Sequence, residues 1–333
     1  MGAEKAECAD IERAVEASHQ SAVQVKTGLS RKLLFWIGVN VSATVIIVYV
    51  NKSIFSDRAF RQSQSSFIAF HFTVTWATLF IASRDAIGLF APSRASILSI
   101  LPLTVAMCGN VLLMNLSLAH SSIILYQIVR ILLTPITAGF DFFFYKARIP
   151  FSAGLALLPA CAGVGIISYV ESLPQAKVST HSTSALGVVF AFSGVAVSSL
   201  YTVMVAASQR RSNMTSAQLL FNQMPPGVVV LCIASLFTDR FPLWREVTIW
   251  QWCMICGSGL CASLINLSQF HIITNAGPVS STVVGHVKTI LIVSLGWMLN
   301  GKNASYESLL GLTLALFGIT SYSYIVSSSR PRK

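Results

Sequence analysis

Ten apolar runs, each about as long as a bilayer core is thick, succeed one another along the chain: residues 33–55, 65–83, 96–119, 123–144, 151–170, 185–207, 216–237, 248–273, 279–299 and 306–326. At about 1.5 Å of rise per residue, some 20 apolar residues cross a hydrocarbon core of about 30 Å. The runs are too long for barrel strands and lack the alternation of lipid-facing and lumen-facing residues, so the pattern predicts helices. The expected fold class is an all-α membrane protein of ten transmembrane helices.

Two basic residues break the apolar pattern at mid-run. Arg130 lies in YQIVRILLTP and Lys288 in VVGHVKTILIV, and neither has an acidic residue within a helical turn. A charge at the bilayer centre costs about 2.5–3.5 kcal/mol on insertion scales, so such residues face a cavity and serve a substrate. The competing reading, a cation that snorkels along its own aliphatic stem, belongs near helix ends. Lys52, in YVNKSIF close to the end of the first run, suits snorkelling and substrate binding equally. The acids Asp141, Glu171 and Glu307 fall at run ends. The midplane is left net positive, which suits phosphate.

Composition agrees: 54% of the 333 residues are hydrophobic and 11% charged. Of 23 Lys and Arg, 14 fall on one side if the N-terminus is inside, 6 on the other and 3 within spans. The asymmetry places both termini in the cytosol. It also accounts for the formal charge of +11 without nucleic acid, because the basic residues are scattered over short loops. Residues 1–30 mix five acids with bases and contain no apolar core, reading as a disordered cytosolic tail and not as a signal or transit peptide. Residues 328–333 form a basic cytosolic C-terminal tail. Cys253, Cys256 and Cys261 lack the further ligands a zinc site requires and read as small packing residues.

The two halves of the chain echo each other. Asn115-Leu116-Ser117 recurs as Asn266-Leu267-Ser268, Arg130 is answered by Lys288, Gly154-Leu155 by Gly311-Leu312, and Ser168-Tyr169 by Ser323-Tyr324, at offsets of 151–158 residues. Five spans in each half, over 31–172 and 173–327, would give two inverted repeats, an architecture of secondary transporters that bind cargo near the midplane. Counted from their span starts, Arg130 and Lys288 both lie roughly 12–14 Å deep, entered from opposite faces. Tyr126 and Gln127 share a face with Arg130, and Gly285 sits one turn from Lys288, leaving room for a ligand or for close helix packing. His286 lies on another face.

With these residues the chain resembles the nucleotide-sugar and triose-phosphate transporter families of the drug/metabolite transporter superfamily, over residues 31–327. It is most similar to the E-type branch of solute carrier family 35, through VNKSIF, FHFTVTW, NLSLAHSSIILYQIVRILLTP, QLLFNQMPP, and GHVKTILIV with LGLTLALFGITSYSY. The resemblance implies that Lys288 and Thr289 act with the fourth-span cation on the cargo's phosphates. Arg130 stands where the family pattern has Lys, exchanging a compact ammonium for a planar, bidentate donor. Phe221-Asn222-Gln223 resembles the stretch that reads the nucleoside end, though Asn222 and Gln223 fit ordinary interhelical contacts as well.

The expected function is therefore antiport of a nucleotide sugar for a nucleoside monophosphate by alternating access, in the Golgi or endoplasmic reticulum membrane. The alternative is a carrier or exporter of small phosphorylated or carboxylated metabolites, or of an acidic specialised product. No ATP loop or catalytic motif occurs, so neither an enzyme nor a cofactor is expected. The expected partners are an anionic small molecule and the lipid bilayer, with a homodimer left open.

Overall fold

The computed structural model describes residues 31–145, 150–172, 184–241, 245, 247–299 and 305–328. The tails assigned to residues 1–30 and 329–333 lie outside them. The chain divides into two units between Phe35 and Trp36. Of the first unit only residues 31–35, the opening of helix α1, are described; the helix bundle and its cavities belong to the second.

Helices account for nearly all described residues, and no strand occurs among them. In chain order they are α1 (Arg31–Ser56), α2 (Arg58–Arg61), α3 (Gln64–Ala82), α4 (Ile97–His120), α5 (Ile123–Val129), a 3₁₀ turn (Arg130–Leu132), α6 (Leu133–Tyr145), α7 (Phe151–Ser172), α8 (Ala185–Ser212), α9 (Ser216–Thr238), α10 (Ile249–Leu299) and α11 (Tyr306–Ser328). Nine stretches of the described residues are long and apolar enough to cross a membrane, and Val284–Leu299 is a shorter apolar helix. The chain has the architecture of a multi-pass membrane protein.

The expected boundaries hold to within a few residues except at two places. The fourth apolar run is not one continuous α-helix: it tightens into a 3₁₀ turn at Arg130–Leu132. Pro135 supplies the reason, since its ring cannot donate to the Ile131 carbonyl and crowds it. At the second place the expected loop between the eighth and ninth runs is absent, and helical backbone continues from Ile249 to Leu299. A straight rod of that length would measure about 77 Å, over twice a bilayer core. It cannot be straight. Asn40 accepts from Lys288 Nζ at 2.8 Å and donates to Ser268 Oγ at 2.8 Å. Through those bonds the two Cα atoms lie within about 17 Å, against about 30 Å along a straight helix. α10 therefore bends sharply between Ser268 and Lys288.

The distribution of polarity is that of a protein in lipid. Leu98, Phe237 and Ile249 are each more than 80% exposed, while Asn40, Ser117 and Ser268 are fully buried. Outward apolar and inward hydrogen-bonded polar groups are stable together where the surroundings are hydrocarbon. α7 packs on α11, α4 on α8, and α3 on α9 and α10. The α7–α11 seam is backbone to backbone: a Cβ at Gly163 would strike the Gly311 carbonyl, and one at Gly318 the Ala160 backbone. Such small-residue seams are how membrane helices gain close packing.

Candidate functional site

The site begins where the fourth run loses its α-helical ladder. Ser122 starts α5 by accepting the Leu125 N–H at 3.1 Å. The helix then carries Leu125, Ile128 and Val129 into the core, all fully buried, before delivering Arg130 exposed. Within an apolar span an exposed guanidinium must face an internal space, and here it does. Arg130 and Tyr126 line a cavity of about 290 Å³. Arg130 Nη1 donates to Tyr126 Oη at 3.1 Å, and its guanidinium carbon lies 5.5 Å from the Tyr126 ring centroid. A phenol and a ring face aim the cation and leave most of its five donors free. No Asp or Glu is among the residues lining this cavity.

Lys288 stands next to that wall. Its Nζ donates to Asn40 Oδ1, and Asn40 Nδ2 donates on to Ser268 Oγ and to the Ile265 carbonyl at 3.1 Å. Ile265 itself lines the cavity. Thr289 donates to the Gly285 carbonyl at 3.2 Å. Gly285 has open space where a Cβ would stand. Lys288, Thr289 and Gly285 are outside the cavity lining proper.

Lys52 is turned inward, not toward an interface. Its Nζ donates to the carbonyls of Leu118 at 2.9 Å and Ser121 at 2.6 Å, at the negative end of α4, where a cation is favoured. It lines a separate cavity of about 410 Å³ together with Tyr49, Ser53 and Ser56, residues of one α1 face.

The remaining amides are placed apart from Arg130. Gln127 is buried, and its Nε2 has no hydrogen-bond partner among the described residues. Gln223 is buried and accepts from Tyr201 Oη at 3.1 Å. Asn222 Nδ2 donates to the carbonyls of Ser93 and Gln218, both at 2.7 Å, and Oδ1 accepts the Ala95 N–H at 3.1 Å. Its whole amide is thus engaged by the segment before α4 and by its own helix. Phe221 stacks on Trp76 at 6.3 Å and meets Phe90 edge-on.

Sequence reasoning missed the polar lining. Asn51, Asn110, Asn115, Asn266, His71 and Thr75 all face the cavity that holds Arg130. A signal was present for two of them: Asn115 and Asn266 are the matching asparagines of the repeated Asn-Leu-Ser. Their serines are both fully buried, and Ser268 accepts from Asn40. A cation, four carboxamides, a phenol and hydroxyls around one space can bind an anion at one end and an uncharged hydrogen-bonding group at the other.

No family model matches the chain. It is similar to UDP-rhamnose/UDP-galactose transporter 2 of Arabidopsis thaliana, 25% identical over 89% of this chain and 83% of that protein. UDP-xylose transporter 1 of the same plant is also 25% identical, over 89% of this chain and 84% of its own length, and UDP-xylose transporter 2 is 25% identical over 89% and 82%. A solved crystal structure superposes with a TM-score of 0.53 at 15% identity, covering 87% of this chain and 99% of the other, so the fold is shared.

Proposed function

We propose that this chain, a homologue of plant UDP-sugar transporters and so of the nucleotide-sugar transporters in the drug/metabolite transporter superfamily, is an antiporter that exchanges a nucleotide sugar for a nucleoside monophosphate across a Golgi or endoplasmic reticulum membrane. The observation that carries the proposal is Arg130. Its guanidinium stands in a cavity inside an apolar bundle, with no carboxylate among the described residues of the cavity wall. Paired with Lys288, it offers two positive charges to a diphosphate. Tyr126 aims the guanidinium, and the open space at Gly285 leaves room beside Lys288. Thr289 would add a hydroxyl once released from its own helix, and the orphan Nε2 of Gln127 is a donor in reserve. Lys52 would meet cargo on its way out, at the second cavity.

The helix pairings support a reading as two five-helix repeats. α3 packs on α10 as α9 packs on α4. α4 packs on α8, and Asn40 of α1 binds the first part of α10 in the corresponding place. α6 packs on α8, and Tyr49 of α1 donates to the Ile292 carbonyl at 2.7 Å in the second part. An odd number of spans per repeat makes the copies inverted. Rocking about the shared cavity then exposes it to one side at a time. The volume of about 290 Å³ sits at the lower edge of small-molecule sites, so the repeats would part around a full nucleotide sugar. An empty return leaves two cations uncompensated in a low dielectric, which favours obligatory exchange. Both termini would face the cytosol.

A carrier of small phosphorylated or carboxylated metabolites is the second reading. The observation favouring it is that the whole amide of Asn222 is engaged within the protein and that Gln223 Oε1 is taken by Tyr201, leaving Asn222 no free edge for a base.

The test is uptake by purified protein in liposomes preloaded with UMP, GMP, CMP or inorganic phosphate. Saturable exchange of one nucleotide family, lost in both Lys288→Ala and Arg130→Ala, is the expected result. Exchange of phosphate or small organic acids alone would select the second reading.

A further inference from the structure

We propose that Asn51, Asn110 and Asn115 form a subsite for an uncharged, hydroxyl-rich sugar, and that this subsite makes the carrier reject nucleotide sugars whose sugar is a carboxylate. The inference rests on the nucleotide-sugar reading above and adds the class of sugar.

Asn51 is only 6% exposed, lies in α1, and lines the same cavity as Arg130. Its Oδ1 is buried without a hydrogen-bond partner among the described residues. An acceptor stripped of water and left unpaired is costly, and such groups mark places where something else supplies the donor. Asn110 and Asn115 of α4 face the same space, and neither carboxamide hydrogen-bonds to the described residues. Asn266 adds a fourth from α10: its Nδ2 donates to the Ala262 carbonyl at 2.9 Å, and its Oδ1 makes no hydrogen bond among the described residues. These side chains therefore do not serve as interhelical glue, which is the ordinary reason for asparagine in a membrane helix.

The chemistry that fits free carboxamides is a hydroxyl. Each amide offers an acceptor and two donors, and each sugar hydroxyl both donates and accepts, so neighbouring hydroxyls can pair with one amide at both ends. A carboxylate only accepts, and it brings a charge. The cavity answers charge at Arg130, with Lys288 beside the wall, which matches a diphosphate. A third negative charge at the asparagine end would be buried uncompensated.

The test uses purified protein in UMP-loaded liposomes and compares UDP-galactose, UDP-xylose and UDP-glucuronate, with UMP self-exchange as the measure of the nucleotide end. Wild type should take up the two neutral sugars at least roughly tenfold faster than the uronate. Asn51→Ala should raise KM for the neutral sugar nucleotides about tenfold, a clearly larger change than it makes in KM for UMP self-exchange. Asn51→Ser and Asn115→Ala supply the same comparison if Asn51→Ala does not purify as a monodisperse protein. Equal losses of UMP and UDP-sugar exchange in these variants would overturn the subsite, as would wild-type uptake of UDP-glucuronate at the neutral sugars' rate. A wild type that exchanges no nucleotide would instead overturn the reading on which the subsite rests.

Discussion

The Asn40 side chain takes part in three hydrogen bonds: from Lys288 Nζ, to Ser268 Oγ and to the Ile265 carbonyl. It therefore ties both arms of the bent α10 to α1 and gives the half-buried Lys288 ammonium its neutral acceptor. Asn40→Ala removes all three bonds and leaves Lys288 without that partner, a loss of about 2–4 kcal/mol, read as a lower melting temperature in detergent. Asn40→Asp separates stability from transport. A carboxylate at this place would pair with Lys288 and hold the fold, yet compete with cargo phosphate for the same ammonium. The expected outcome is near-normal melting with KM for the anionic substrate raised tenfold or more; unchanged KM would remove Lys288 from the phosphate site. The cations themselves were legible in the sequence because charge at mid-span is expensive. Asn40 was not, since an asparagine in an apolar run can pair with a neighbouring helix at little cost, and its partners lie 225–248 residues away. Nor could the sequence show that Lys52 reaches the carbonyls of Leu118 and Ser121, because the meeting of α1 with the end of α4 is a property of packing.

At the scale of elements, glycines separate into those that matter and those that do not. Gly163, Gly311 and Gly318 occupy the α7–α11 seam, where a Cβ would strike backbone, whereas Gly139 on α6 has nothing within 4 Å. Backbone cannot give way as a flexible side chain can. Gly318→Val should thus cost about 2–3 kcal/mol or more, seen as loss of folded protein after extraction, while Gly139→Val should stay within about 0.5 kcal/mol of wild type. Equal behaviour of the two variants would refute the seam. Apolar periodicity located these helices well, because length and composition alone decide whether a segment spans a bilayer. It failed at the two places where tertiary structure bends a helix. The 3₁₀ turn at Arg130–Leu132 had its cause in Pro135, which could have been read. The helical continuity of α10 past Gly277 and Pro278 could not, because those residues are ordinary signals for a loop.

The whole molecule has α9 fastened at both ends. At its C-terminal end the Asp239 carboxylate accepts the N–H groups of Ser65 at 3.2 Å and Ser66 at 2.7 Å, capping α3, and the Arg240 N–H donates to the Gln62 carbonyl at 2.9 Å. At its N-terminal end Gln218 Nε2 donates to the Ala91 carbonyl at 2.8 Å, and Asn222 clamps Ser93 and Ala95. α3 and α9 belong to different halves of the chain, so rocking of one half against the other must loosen these ties in turn. In the proposed topology Asp239 is luminal and Asn222 cytosolic. Loss of a charge-assisted cap worth about 1.4 kcal/mol shifts a two-state equilibrium about tenfold toward the state in which that end is open. Asp239→Ala should then raise labelling of a cysteine placed at the cavity residue Met114, in a cysteine-free background, by an impermeant reagent added from the luminal side, and lower it from the cytosolic side. Asn222→Ala should do the reverse. If both substitutions raised labelling from both sides, the ties would be mere staples of a leaky bundle. If neither changed it, the halves would not move about α9, and alternation would have to be sought elsewhere, first at the bend in α10.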